Sequence, residues 1–228
     1  MSVSIFDSFL TTPDMIAAFD DAAIVGAMFR FEAALARAQA EEGLIPLAAA
    51  SAIAGVCNAQ LYDIPALIHA GRRAGSLAIP LVKELTRTVA LYDEAAARHV
   101  HWGSTSQDVI DTAMVLVTRD ALQLLDAGLA SLCAHLLALA ENNLTTPVLA
   151  RTLMQPAQVT SFGFKAAGWL APLVRARESL RAASRALSAR GVPLPGSVSH
   201  VATSRDGPGQ GVSRQPSGSP ARPASDRR

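Results

Sequence analysis

The sequence has little of what marks secreted, metal-binding or nucleic-acid-binding proteins. It contains 2 cysteines, Cys57 and Cys133, and no Cys/His spacing typical of a metal site. Its formal net charge of +1 provides no basic surface for nucleic acid. Residues 1–10 lack the basic start and the long apolar stretch of a secretory signal peptide. We therefore expect a cytoplasmic protein with reduced cysteines, no bound metal ion and no nucleic-acid partner.

Long uncharged apolar runs are scarce as well. The longest extends from Ala127 to Ala140 and includes His135. A membrane-spanning helix needs about 20 apolar residues, so the run predicts no membrane span. Because 50% of all residues are hydrophobic, the chain can still bury a substantial core, as one large domain or two small ones.

Helical periodicity is the dominant pattern in the first five-sixths of the chain. Capping residues and prolines predict helix starts at Thr12, Asp20, Pro46 and Pro65, and Gly43 ends the second of these helices. The pattern also predicts a loop over residues 71–76 and one helix from Pro80 to Arg98. The second helix carries a polar set that we interpret as a solvated face or a subunit contact: Arg30, Glu32, Arg37 and Glu41.

The strongest periodic signal predicts one long helix over residues 107–141. Its apolar positions alternate steps of three and four, as in a heptad seam: Val115, Thr118, Leu122, Leu125, Leu129, Leu132, Leu136 and Leu139. At about 1.5 Å per residue this helix is on the order of 50 Å long, too long to bury itself in a small monomer. The seam favours a bundle formed by several subunits, and an elongated monomeric bundle is the alternative.

Small hydroxyl residues, an amide and a carboxylate precede this helix, in residues 101–108. The spacings of Ser104 with Gln107 and of Thr105 with Asp108 are those of helix-capping pairs. A helix start also leaves backbone N–H groups free and carries partial positive charge, which suits a bound carboxylate. Spacing alone leaves a structural cap and an anion site equally open.

Residues 101–112 read His-x-Gly-x-Thr-Ser-Gln-Asp-x-x-Asp-Thr and resemble the first signature region of the fumarase/aspartase superfamily. Within this superfamily, the residues at these positions are most similar to those of the bacterial 3-carboxy-cis,cis-muconate cycloisomerases. Further similar stretches follow the family's order: residues 28–38, 78–82 and 151–157. The resemblance implies an all-α fold, with a small helical domain over residues 1–107 and part of a long-helix bundle over residues 108–190. It also implies a homotetramer without metal or organic cofactor, acting on a small polycarboxylate in protocatechuate breakdown.

The resemblance implies a set of site residues in two stretches of the chain. The candidate substrate-binding residues are Ser76, Thr105, Ser106, Gln107, Arg151, Thr152 and Gln155. His101 is the candidate for orientation or proton transfer, although a lone histidine is most often structural. For Ser76 the alternative is that it only caps the following helix. Asp108 is expected to fix the helix start, since a bare carboxylate would repel a tricarboxylate substrate.

Position 153 separates two branches of the superfamily. Fumarase-like and adenylosuccinate-lyase-like members carry a histidine there, whereas this chain has Leu153. The apolar residue favours the cycloisomerase branch over an adenylosuccinate- or argininosuccinate-type lyase. A non-catalytic helical oligomerisation fragment is the third interpretation.

The last part of the chain changes character. A further helix is predicted from Thr160, with a kink at Pro172 and an arginine-rich side that we interpret as solvated. Residues 191–228 are rich in Gly, Pro, Ser and Arg and predict disorder. We interpret this tail as out-of-frame translation or a premature end; a genuine flexible tail is the alternative. The family's third signature, a serine loop of the form Gly-Ser-Ser-x-Met-Pro-x-Lys that carries the catalytic group, is not found, so a truncated and inactive chain is expected.

Overall fold

The computed structural model describes residues 10–189, and most of this range is helical. The helices are α1 (Pro13–Ala18), α2 (Asp21–Glu41), α3 (Leu47–Val56), α4 (Ile64–Ala74), α5 (Ala78–Ala90), α6 (Glu94–Ala97), α7 (Ser106–Glu141) and α8 (Phe162–Ala189). A 3-10 turn covers Ala59–Leu61, and an antiparallel hairpin of β1 (Pro147–Thr152) and β2 (Gln155–Ser161) separates α7 from α8. The all-α prediction is confirmed, with this unforeseen hairpin added. The tail predicted to be disordered lies outside the described residues.

The predicted capping residues begin the first helices. The Thr12 hydroxyl accepts a hydrogen bond from the Met15 backbone N–H, and Asp20 accepts one from Ala23 at 2.7 Å. These bonds satisfy N–H groups that a helix start otherwise leaves unpaired. Gly43, at φ 71°, turns the chain in the left-handed region just after α2, as predicted.

Two predictions about the middle of the chain are wrong. The expected loop over residues 71–76 is helical as far as Ala74, and only Gly75, at φ 77°, turns the chain. Gly71 serves packing instead, because an added Cβ would lie 3.3 Å from the Leu77 Cα. The expected single helix from Pro80 to Arg98 is two helices, since the Asp93 side chain accepts a hydrogen bond from the Ala96 N–H and starts α6.

Helix α2 lies at the centre of the hydrophobic core. Most core side chains come from α2, α3, α5 and the first turns of α7, with smaller contributions from α4 and α6. The largest fully buried apolar ones are Phe29, Met28, Ile53, Leu81, Leu85, Val25, Val89 and Val109. Val109, Ala113 and Val117 of α7 belong to this cluster. The start of α7 is therefore held rigidly against α2, whereas the division into domains at residue 107 stays a prediction.

The second half of α7 packs against α8, which runs antiparallel to it. On α7 the half-buried or buried positions recur in steps of four and three: Leu122, Asp126, Leu129, Cys133, Leu136 and Ala140. The matching half-buried positions on α8 are Leu170, Leu173, Arg177, Leu180, Ser184 and Leu187. Some residues of the predicted heptad seam therefore face α8, whereas others do not. Leu125, Leu132 and Leu139 are 44%, 44% and 37% exposed and form an apolar stripe on the uncovered side of α7.

Part of the arginine face predicted as solvated is engaged in ion pairs between α7 and α8. Arg177 and Arg181 each donate two hydrogen bonds to the Asp126 carboxylate, at distances from 2.8 to 3.1 Å. Bonds from Arg177 and then Arg181 hold the pKa of Asp126 well below its usual range. The prediction failed because helix periodicity gives no information on a partner 51 residues away.

Helix α7 is long and apolar enough to cross a membrane, by length and composition alone. The sequence prediction of no membrane span considered only the longest uncharged run. The whole helix passes the test because its few charged residues are widely spaced and its mean hydropathy stays high. The same composition occurs in the central helix of a bundle. The doubly paired Asp126 at mid-helix suits a helix pair in water better than one in lipid.

Gly163 is expected to be irreplaceable where α8 meets the end of α7. A Cβ there would lie 2.5 Å from the Ala140 carbonyl oxygen and 2.8 Å from that of Asn143, both rigid backbone atoms. Gly163→Ala should cost about 1–3 kcal/mol and lower the melting temperature by several degrees. Gly168→Ala, where a Cβ meets nothing within 4 Å, is the matched control and should be neutral or stabilising. Equal melting temperatures for the two variants would contradict the prediction.

Candidate functional site

The segment between α6 and α7 makes two sharp turns just before α7 begins. His101 has φ 57° and Gly103 has φ 71°, both in the left-handed region. This conformation is easy for glycine and unfavourable for histidine, so surrounding contacts must hold His101 in it. The segment brings His101 to the start of α7, where the predicted binding residues lie.

A capping box fixes the first turn of α7. The Thr105 backbone N–H and hydroxyl each donate to Asp108 Oδ2 at 2.9 Å, and the Thr105 hydroxyl accepts from the Asp108 N–H. The predicted Thr105–Asp108 pair and the structural role of Asp108 are confirmed. The other predicted pair is wrong: Ser104 also bonds Asp108, at 3.4 Å, and does not pair with Gln107.

Gln107 is held by a different partner. Its Nε2 donates to Asp111 Oδ1 at 2.6 Å, and Asp111 is buried. This bond uses one of the two N–H groups of Nε2, so the exposed side chain keeps the second as a donor. Among the described residues the Ser106 hydroxyl makes no hydrogen bond, so it is available to a ligand.

His101 pairs with a buried carboxylate of α2. Its Nδ1 lies 2.7 Å from Glu32 Oε1, while Glu32 Oε2 is buried without a hydrogen-bond partner. The Glu32 side chain is 1% exposed and that of His101 is 15% exposed. The interpretation of Glu32 as part of a solvated face is therefore wrong. Its spacing of four from Met28 and from Ala36 places it on the apolar side of α2, and this signal could have identified it.

Ser76 lies at the start of α5, where its hydroxyl accepts a hydrogen bond from the Ala78 N–H at 3.3 Å. This is the capping role that the sequence left open. Within the described part of the chain Ser76 makes no hydrogen bond to residues 101–108, and a role in substrate binding stays a prediction.

The other predicted binding residues lie on the β-hairpin. Thr152 pairs with Gln155 across a two-residue turn, and the register shifts between Leu149 and Arg151. Such an irregularity re-aims nearby side chains. Arg151, Thr152 and Gln155 are all exposed, and none makes a side-chain hydrogen bond within residues 10–189. These donors are free to bind a carboxylate.

The hairpin turn itself is strained and apolar. Leu153 and Met154 have φ 45° and 64°, and they are 93% and 84% exposed. A left-handed conformation costs roughly 1–2 kcal/mol for each ordinary residue. A turn of this kind usually contains Asn-Gly or Asp-Gly. Because neither dipeptide is present here, the sequence did not predict the hairpin.

One chain cannot bring the two groups of predicted residues together. The first group lies at the start of the 36-residue helix α7, and the second lies beyond its end. The helix is about 54 Å long at 1.5 Å per residue. The base of the hairpin is tied to the helix end by hydrogen bonds from Phe162 N–H to Thr146 O and from Gly163 N–H to Asn143 O. A strand of seven residues reaches only about 20 Å, so roughly 30 Å separates the groups in any hairpin orientation.

The remaining reactive groups do not suggest other chemistry. Burial, and then the neighbouring Glu32, raise the pKa of the Cys57 thiol to about 12, which makes it a poor nucleophile. Within residues 10–189 no group of three or more His, Cys, Asp or Glu side chains could hold a metal ion.

Comparison with known proteins shows which family this chain resembles in sequence and structure. A family model described as "Lyase" matches residues 9–197. The chain is 51% identical over 176 residues to a 3-carboxy-cis,cis-muconate cycloisomerase of Bradyrhizobium diazoefficiens, covering 77% of this chain and 39% of that protein. It is 45% identical over 171 residues to a nitrosuccinate lyase of Streptomyces davaonensis, covering 75% of this chain and 36% of that protein.

A solved structure has the same fold. The crystal structure of the 3-carboxy-cis,cis-muconate lactonizing enzyme from Pseudomonas putida superposes with a TM-score of 0.75 at 44% identity, covering 78% of this chain and 40% of that chain. The chain thus spans about two-fifths of the length of the relatives that it matches.

Proposed function

Because the chain belongs to the lyase family, whose model matches residues 9–197, we propose that it supplies part of the active site of a 3-carboxy-cis,cis-muconate cycloisomerase. In this reaction a carboxylate oxygen of the substrate adds to an activated C=C bond, and a proton is delivered to the neighbouring carbon. The product is a carboxymuconolactone, an isomer of the substrate, so no redox cofactor is needed. The observation that carries the proposal is the 51% identity to a protein of that name.

The start of α7 is suited to hold one substrate carboxylate. Thr105 and Asp108 cap each other, and the Ser106 hydroxyl and the exposed Gln107 lie beside backbone N–H groups that carry partial positive charge. These donors would stabilise negative charge that develops on the substrate during addition. His101, at the edge of this turn, would orient the substrate or transfer the proton.

The hairpin is suited to hold a second carboxylate. The Arg151 guanidinium can donate two parallel hydrogen bonds to one carboxylate group, and Thr152 and Gln155 add neutral donors beside it. All three side chains are exposed and make no side-chain hydrogen bond within the described chain, so they are available to a ligand.

The site is proposed to form between copies of the chain. The separation of roughly 30 Å between the two groups within one chain supports this, because a tricarboxylate of this size spans less than half that distance. The resemblance favours a homotetramer in the cytoplasm, acting in the breakdown of protocatechuate. The exposed apolar stripe of α7 is available for the contact between copies.

The 228-residue chain by itself is not expected to turn over substrate. Its sequence contains no Gly-Ser-Ser-x-Met-Pro-x-Lys segment, which in the family carries the catalytic serine. A hybrid that contains the rest of the site is therefore the appropriate test. In this hybrid, residues 13–189 replace the matching residues of the Pseudomonas putida lactonizing enzyme.

The hybrid is expected to consume 3-carboxy-cis,cis-muconate, measured as loss of its absorbance, and to leave nitrosuccinate and adenylosuccinate unchanged. Arg151→Glu in the hybrid is the control, since activity that depends on this chain must fall with it. Turnover of nitrosuccinate or adenylosuccinate in place of carboxymuconate would assign an eliminating lyase instead. A hybrid that assembles like its parent and has no activity would favour a non-catalytic assembly role for this chain.

A further inference from the structure

Three buried polar side chains occur among residues 10–189, and all three contact one short segment. Glu32 is 1%, Asp111 8% and Gln39 9% exposed. Glu32 bonds the His101 side chain, Gln39 Nε2 donates to the Trp102 carbonyl oxygen at 2.6 Å, and Asp111 accepts from Gln107. Buried polar groups are costly, so their concentration on residues 101–107 indicates that the position of this segment matters.

Helix α2 provides two of these contacts from one face. Glu32 and Gln39 are seven residues apart, which is two helical turns, so their side chains project in the same direction. They engage consecutive residues, His101 and Trp102, on the segment that enters α7. This double contact explains how His101 keeps its unfavourable φ of 57°.

The contact with Glu32 also determines the state of the His101 ring. A carboxylate oxygen accepts hydrogen bonds, and with Glu32 as the acceptor the 2.7 Å contact places a proton on Nδ1. In a neutral imidazole the other nitrogen, Nε2, then carries the lone pair. Nε2 makes no hydrogen bond within the described part of the chain and lies on the ring edge away from Glu32.

We propose that Glu32 is a positioning residue, which fixes the Nδ1-protonated tautomer of His101 and so presents Nε2 as a proton acceptor to the substrate site. Glu32 itself is too deeply buried to touch a ligand and acts only through His101. A role for His101 in chemistry rests on the proposed function, but its tautomer does not.

The tautomer can be measured directly on the 228-residue chain. Nitrogen-15 NMR of the chain labelled at its 5 histidines distinguishes protonated from unprotonated ring nitrogens, and His101→Asn identifies the relevant signals. We expect a protonated Nδ1 and an unprotonated Nε2 for His101 at a pH where the ring is neutral. A wild-type chain with the proton on Nε2 would overturn the proposal, whatever the activity of any variant.

Three variants test the cause. Glu32→Met has similar volume and no acceptor, so we expect the His101 proton to move largely to Nε2. Glu32→Gln keeps an amide oxygen that can accept from Nδ1, and should retain the wild-type tautomer. Glu41→Gln removes an exposed charge from the same helix and is the charge-matched control. A folded Glu32→Met chain with the wild-type tautomer would contradict the assignment.

Activity of the hybrid gives an independent readout. Glu32→Met should lower kcat by about 10- to 100-fold with little change in KM, and Glu32→Gln should lower it much less. When His101 is already Asn, Glu32→Met should add almost nothing, since Glu32 acts through the ring. Additive losses would mean that Glu32 only stabilises the fold. If the wild-type hybrid is inactive, the proposed function fails, and the NMR result still decides the role of Glu32.

Discussion

Two inactive variants of the hybrid are expected to restore activity when they are produced together. Ser106→Asp places a carboxylate at the first position of α7, where helix polarity tolerates it but a polycarboxylate substrate is repelled. Arg151→Glu reverses the charge of the exposed hairpin arginine without touching the core. Each change alone should lower kcat/KM by about 100-fold or more, since a charged contact with the substrate becomes repulsive.

Restoration follows from the length of α7. If the α7 start and the hairpin in one site belong to different copies, random mixing leaves about one quarter of the sites with both clusters unchanged. Coexpression with two different affinity tags isolates the mixed oligomers, and carboxymuconate consumption measures their activity. A site built within one chain would gain nothing from the mixture.

A second mixture provides the matched control for this experiment. A chain carrying both Ser106→Asp and Arg151→Glu is coexpressed with the unchanged hybrid. Sites shared between copies should again retain about one quarter of full activity, whereas sites within one chain should retain about half. Mixed oligomers that are inactive in the first experiment and half-active in the second would contradict the proposed shared site.

Local sequence signals were sufficient for most of the helical fold. The capping residues Thr12 and Asp20, the stop at Gly43 and the long helix after Thr105 all depend on contacts within one helical turn. The Thr105–Asp108 capping box belongs to the same class of short-range interaction, which explains why its pairing could be predicted from spacing alone.

Features that depend on distant partners could not be read from the sequence. The turn at Leu153 and Met154 adopts left-handed conformations that neither residue favours, so propensity argues against the hairpin. The pairing of Asp126 with two arginines of α8 joins residues more than fifty positions apart. In both cases the tertiary contacts override local preference, and only the three-dimensional structure reveals them.

In the candidate site, too, local residues could be predicted from the sequence and a distant contact could not. The candidate ligand-binding residues Thr105, Gln107 and Arg151 are predictions that rest on the resemblance to known signature regions. Sequence patterning did not identify Glu32, which we propose positions His101, because Glu32 was assigned to the polar side of α2. A charged residue spaced four positions from Met28 and Ala36 lies instead among buried side chains, where a carboxylate requires a specific partner.

The exposed stripe on α7 supports a strong prediction about assembly. Leu125, Leu132 and Leu139 recur every seven residues on the side of α7 that α8 leaves uncovered. Leu132→Asp should hardly disturb the single chain, because the side chain is already 44% exposed there. In a bundle of several copies the same aspartate would be buried without a partner, at a cost of about 3–5 kcal/mol.

Leu132→Asp is therefore expected to convert the proposed oligomer of the 228-residue chain to monomers or dimers in sedimentation experiments, with unchanged helix content by circular dichroism. A loss of 3–5 kcal/mol corresponds to a weakening of each contact by about 100-fold or more. Gln123→Asp, nine residues earlier and on the opposite side of α7, is the control and should leave the assembly intact. A wild-type chain that is monomeric at every concentration tested would show that the stripe is not a subunit contact, and the site shared between copies would lose its structural basis.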